Sequence, residues 1–177
     1  MSLEEFAIPK ERVAVAIGPN GGTKKEIEKQ TKTKIRIDSK NGDVEIDADD
    51  AVAVMKAASI IRAIGRGFSP EHAMKLVDDE YYFTLIDLNE LLGKNWKHIQ
   101  AKKGRVIGKE GAIRGKIEQD THTYISVYGK TIGIIGKAEE VEKATHAITL
   151  LVKGAEHATV LNYLRQSHSN EEEFEFR

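Results

Sequence analysis

The chain has no cysteine, which excludes a disulfide framework, thiolate chemistry and cysteine-ligated zinc together. It has no apolar run near the roughly 20 residues that a membrane span needs. Its first residues, MSLEEFAIPK, lack the basic start and apolar core of a secretory signal. The expectation is a cytoplasmic protein with no membrane partner. Net charge is scarce as well: 27 Lys and Arg stand against 28 Asp and Glu, a formal charge of -1, so a uniformly cationic coat for nucleic acid is excluded. The six histidines fall at no metal-ligand spacing such as HExxH. Two stretches superficially resemble nucleotide phosphate loops, but Thr23 and Lys109 stand where the second glycine is required. Without paired carboxylates, a metal cluster or a nucleophile beside a base, the chain reads as a binding protein with no cofactor and no metal. It does not read as an enzyme.

What the sequence does contain is a repeat, the feature to be sought before any other. Gly18, Gly21, Ile27, Thr31 and Ile35 recur ninety positions later as Gly108, Gly111, Ile117, Thr121 and Ile125. Around this repeat the same order of elements is predicted twice. A strand over 4–8 leads to a brief helix over 12–17 that Pro9 can open, and the helix breaks at Gly18-Pro19-Asn20-Gly21. A second helix covers 22–31. Polar and apolar residues then alternate over 34–38 and 43–47 around Asn41-Gly42, a hairpin signal. Asp49 or Asp50 caps a long helix on which Ala51, Val54, Met55, Ala58 and Ile61 recur at helical spacing, and Ser69-Pro70-Glu71 starts a short one to about Val77. The second copy runs from a strand at 82–87, past an insertion at 89–95, into a helix carrying Trp96, Ile99, Lys103, Val106 and Ile107 on one face. It continues through Gly108 to a helix over 112–121, a hairpin at Gly129-Lys130, a long helix marked by Val141 to Val152 and a terminal helix marked by His157 to Leu164. The predicted fold is α+β, two tandem β-α-α-β-β-α units, each a three-stranded sheet with helices on one face. The expected domains are 1–79 with a C-terminal helical extension, 80–166 with a C-terminal helix, and a flexible acidic tail over 167–177.

Two glycines framing a turn let backbone approach backbone, and exposed N–H groups at a helix N-terminus attract phosphate. The expected partner is therefore a polyanion. Beside each turn, the second helix and first hairpin strand are expected to enclose a groove floored by Ile27 and Ile35 in one unit and by Ile117 and Ile125 in the other. Unstacked bases could lie there, as single-stranded RNA recognition requires. The two turns differ in charge: Pro19 removes a donor and Asn20 is neutral, leaving Lys24 and Lys25 to attract phosphate, whereas Lys109 stands inside the second turn beside Glu110, with Arg105 and Arg114 close in sequence. From Lys94 to Lys116 eight basic residues face Glu110 alone, while Glu171, Glu172, Glu173 and Glu175 make the end acidic. Trp96 shares its helical face with Ile99 and Val106 and so reads as core, with base stacking the alternative. Thr31 and Thr121 read as helix-end packing or caps.

These motifs resemble KH domains of the eukaryotic-type topology. A lone GxxG carries little weight, but two copies with the same downstream Ile, Thr and Ile are specific. The resemblance implies that Gly18 to Gly21 and Gly108 to Gly111 clamp the backbone of about four nucleotides each. With the Arg105 to Gly111 core, the Trp96-Lys97-His98-Ile99 helix and the Gly67 to Glu71 segment, nearly the whole chain resembles the Dim-two or partner-of-Nob family, related to Krr proteins. The compact length points to an archaeal version. The resemblance implies binding near the 3′ end of small-subunit rRNA during ribosome maturation, beside a Nob-type endonuclease, an rRNA dimethyladenosine methylase or a translation initiation factor. The second unit is expected to be the main RNA site. A protein adaptor in ribosome assembly or translation initiation, with RNA secondary, is the alternative.

Overall fold

The computed structural model describes the backbone of residues 1–175 and the side chains of residues 1–167. The chain divides into two units, Met1–Phe83 and Thr84–Arg177. In the first, β1 (Ser2–Ala7) is followed by α1 (Lys10–Ile17), a 3-10 turn (Pro19–Gly21), α2 (Gly22–Thr31), β2 (Lys34–Ile37), β3 (Asp43–Ala48) and α3 (Ala51–Gly65). A short α4 (Pro70–Ala73) then runs into a 3-10 turn at Met74–Val77. The strands form an antiparallel sheet in the order β1-β3-β2, with Phe6 opposite Val44 and Ile35 opposite Ile46. Strand alternation turns Ile35, Val44 and Ile46 under α2 and α3, where Ile27, Val54, Ala57 and Ile61 are also buried. Each such valine or isoleucine contributes about 1.5–3 kcal/mol of burial.

Local chemistry sets the boundaries. Of the two candidate caps for α3, Asp50 serves, accepting from the Val52 N–H at 3.0 Å. Pro9 sits one position before α1, with extended ψ of 138°, and Pro70 takes the first position of α4 behind the Ser69 cap. The core stripe of α3 is Val54, Ala57, Ala58, Ile61 and Ile64. Met55, one position off that stripe, faces solvent.

The plan is then repeated, from a strand that starts three residues before the second unit: β4 (Tyr81–Asp87), α6 (Trp96–Ile107), a 3-10 turn (Lys109–Gly111), α7 (Ala112–Thr121), β5 (Tyr124–Tyr128), β6 (Thr131–Lys137) and α8 (Ala138–Val152), with strand order β4-β6-β5. The predicted insertion is a short helix, α5 (Leu88–Leu92), capped by Asp87 and ended at Gly93. A last helix, α9 (His157–Glu175), packs on α7 and α8 and buries Val160 and Leu164. The acidic run of the expected 167–177 tail has its side chains outside the described residues. Each unit thus has the β-α-α-β-β-α order of a eukaryotic-type KH domain, with its core between sheet and helices.

Candidate nucleic-acid interface

The two glycine-framed turns adopt one backbone shape. Gly18 and Gly108 have φ of 73° and 71°, Asn20 and Glu110 both have φ of 54°, and Gly21 and Gly111 have 72° and 77°. The glycines within each turn are required for different reasons. A Cβ at Gly18 would lie 2.7 Å from the Thr23 backbone nitrogen, and one at Gly108 would lie 2.9 Å from that of Ile113, so the first glycine lets the following helix start against the turn. At Gly111 there is room for a side chain, and only the left-handed φ selects glycine. No side chain caps α2 or α7. The first N–H of each helix, that of Gly22 or Ala112, donates back to the Pro19 or Lys109 carbonyl, and at the end beyond it the helix dipole favours an anion.

Charge separates the two clamps. In the first, Lys24 lies 3.4 Å from Glu28 Oε1 and donates to the Ile35 carbonyl at 3.1 Å, while Lys25 donates to the Asn20 carbonyl at 3.3 Å. Both lysines are engaged by the protein. A cleft of about 250 Å³ beside this clamp is lined by Gly22, Thr23, Glu26, Pro70, Glu71 and Met74, adding two carboxylates. In the second clamp Lys109 is exposed and the Arg114 guanidinium folds over Gly111. Among the described residues neither donates to a protein acceptor. Lys116 is paired with Asp120 at 3.1 Å.

The expected apolar floor is closed. Ile27 and Ile117 have 0% exposure, Ile35 has 2% and Ile125 has 5%. Bases therefore cannot lie on these side chains, which belong to the core between helix and sheet. The groove is presented instead by the edge of the hairpin strand, and a carboxylate that sequence reading did not single out sits on it. Glu28 Oε1 accepts from the Ile35 N–H and Glu118 Oε1 from the Ile125 N–H, both at 2.8 Å. The two glutamates are ninety positions apart, each directly after its repeated isoleucine, so the repeat did carry the signal. In the first unit Lys24 also donates to the Ile35 carbonyl, so both backbone polar groups of that edge residue are held by side chains. Arg114, the residue at the matching position, does not, and no side chain among the described residues donates to the Ile125 carbonyl. Glu118→Ala should cost about 1–2 kcal/mol by stranding the Ile125 N–H. Thermal unfolding will read it, with Glu118→Gln recovering most of the loss; an alanine variant that melts with wild type would assign that N–H to water.

Arg105 is drawn away from the clamp. Its guanidinium donates to the Leu151 carbonyl at 2.9 Å and to that of Ala155, holding the C-terminus of α8, while His157 Nε2 contacts the Arg105 carbonyl at 2.9 Å. In the first unit Arg12 does the same for α3, reaching the Ile64 and Phe68 carbonyls at 2.8 Å each. The repeat hides this kinship, because Lys102 and not Arg105 lies ninety positions after Arg12. Thr31 and Thr121 tie down helix ends as expected, each donating to the carbonyl four residues back at 2.7 Å. Trp96 departs from the core reading: it is 49% exposed, with the Lys103 ammonium 5.5 Å from its ring centroid. Partial burial lowers the Lys103 pKa below the usual lysine value.

Residues 82–169 match the family model of the eukaryotic type KH-domain (KH-domain type I), and residues 3–63 match that of the KH domain. A KH domain-containing protein of Methanocaldococcus jannaschii is 46% identical over 169 residues, covering 93% of this chain and 74% of that protein. The RNA-binding protein PNO1 of Oryzias latipes is 30% identical over 137 residues, and the chain spans only 56% of its length. Among solved structures, Dim2p from Pyrococcus horikoshii superposes with a TM-score of 0.86 at 44% identity, covering 94% of this chain and 99% of that one. A complex of a/eIF2alpha, aDim2p and rRNA from the same organism contains a chain with a TM-score of 0.88 at 43% identity, covering 96% and 95%.

Proposed function

The chain belongs to the Dim2/PNO1-type family of KH proteins, and from that premise we propose that it binds single-stranded small-subunit rRNA near the 3′ end during ribosome maturation. The second unit is the principal site. The observation that carries this is the pair of cations, Lys109 and Arg114, that the second clamp leaves without protein acceptors, beside uncapped helix N–H groups. Phosphate is the partner that satisfies both. In the first clamp Pro19 stands at the position of Lys109, and the nearby Lys24 and Lys25 are already engaged, so that unit holds RNA weakly or serves protein contacts. Residues from the two clamps contribute shape and charge; the buried isoleucines set the spacing of helix and strand behind them.

The role is one of binding and recruitment, without turnover, in a cytoplasmic setting. A Nob-type endonuclease, an rRNA dimethyladenosine methylase and a translation initiation factor are the protein partners that follow from the family. The solved rRNA complex of a relative together with a/eIF2alpha supports both RNA and an initiation factor as partners. Binding of rRNA 3′-end oligonucleotides should weaken with salt, with a log-log slope of about -0.7 per phosphate contact on single strands. A flat response, or no preference for single strands over duplex, would reject the phosphate clamp and leave the adaptor reading.

A further inference from the structure

An exposed tryptophan on a basic helix is unusual enough to ask what covers it. Trp96 is the first residue of α6, fixed there by Asn95, whose side chain caps the helix by accepting from the His98 N–H at 3.3 Å. Its indole is half-exposed although Ile99 and Val106 of the same helix are fully buried. Helical geometry of about 100° per residue puts Trp96, Lys103 and Ile107 within about 40° of one line along α6. That line ends at Ile107, directly before Gly108. Lys103 holds its ammonium over the indole, and Lys94 and Lys97 are exposed beside it. An aromatic face set among ammonium groups is the composition that holds single strands: cations follow the phosphates while the ring takes a base.

The clamp grips about four nucleotides, whereas Trp96 lies about 16 Å from Ile107 along the helix axis, at 1.5 Å per residue. The indole thus stands well beyond the glycine turn, on the course of a strand that continues past the clamp along α6. We propose that Trp96, supported by Lys103, is a base-stacking platform for a nucleotide of the same RNA strand outside the clamp. The platform rests on the reading of Gly108 to Gly111 as the RNA clamp. It assigns α6 a binding role that the glycine motif does not include, and it gives the protein a footprint longer than one clamp.

Trp96 is the single tryptophan of the chain, so the emission of the intact protein reports this ring alone. Single strands of about four nucleotides, filling the clamp only, and of about twelve, long enough to reach α6, should both bind. Only the longer one should quench the emission. Trp96→Ala should weaken the longer strand by about tenfold, the loss of one stacked base, and leave the short one within about twofold; Trp96→Phe should keep most of the affinity. Since the ring is half-exposed, the alanine variant is expected to fold, which circular dichroism checks. Binding of the longer strand with unchanged emission, or equal affinity of Trp96→Ala for it, overturns the platform while leaving the clamp intact. Failure of wild type to bind either strand rejects the clamp and the platform with it.

Discussion

Lys109→Asp combined with Arg114→Glu should lower the affinity for an rRNA 3′-end single strand by about 100-fold or more. Two charge-assisted hydrogen bonds to phosphate, at about 1.5–3 kcal/mol each, are lost and replaced by repulsion. The choice of positions matters. Gly108→Asp would place a side chain against the Ile113 backbone at positive φ, so its loss of binding could reflect a distorted turn. Lys109 and Arg114 carry charge without shaping the turn, and a glutamate in the first turn of α7 suits the helix dipole. The thermal midpoint should therefore stay near that of wild type. Adding negative charge to the first clamp, Asn20→Asp with Lys25→Glu, should cost less than about fivefold, because Lys25 is already turned onto the Asn20 carbonyl. Fluorescence anisotropy at fixed salt measures both. Equal losses at the two clamps would mean that they share the RNA, and no loss at the second would remove it as the principal site.

Arg105→Ala should destabilise the second unit by about 3 kcal/mol, corresponding to a fall of roughly 12–24 °C in its midpoint for a unit of this size. The side chain bridges the Leu151 carbonyl in the last turn of α8 and the Ala155 carbonyl just beyond it, and its loss removes a charged donor from each, leaving Leu151 only backbone partners such as the Gly154 N–H. Lysine cannot span the pair, since it lacks the planar fork, so Arg105→Lys should recover less than half of the loss. Below the transition the alanine variant should bind RNA within about threefold of wild type. This separates a strut from a phosphate ligand: a variant that melts normally but loses RNA would return Arg105 to the clamp.

The fold was legible in the sequence because its signals are local. Two glycine turns at constant spacing, alternation in the hairpins and apolar recurrence along α3 and α8 each involve residues within a few turns of one another. Short-range chemistry also gave Asp50 as one of two candidate caps and Thr31 and Thr121 as helix-end ties. The same spacing pointed to Ile27, Ile35, Ile117 and Ile125 as a surface for bases, and there it misled. Periodicity says which side of an element is apolar. It does not say whether a second layer closes over that side.

Availability of the charged groups was decided at longer range. Arg105 is spent on carbonyls 46 and 50 residues away, and Lys24 on the strand edge 11 residues on. Arg114, at the position matching Lys24, is left facing the clamp. Trp96 is bared although its neighbours on α6 are buried. The sequence by itself thus determined two KH units and put the free charge in the second clamp at Lys109, because backbone shape and formal charge follow from residue type and spacing. Tertiary structure alone decided which cations remain for phosphate and which apolar groups remain for bases, because that depends on partners that folding brings together from distant parts of each unit.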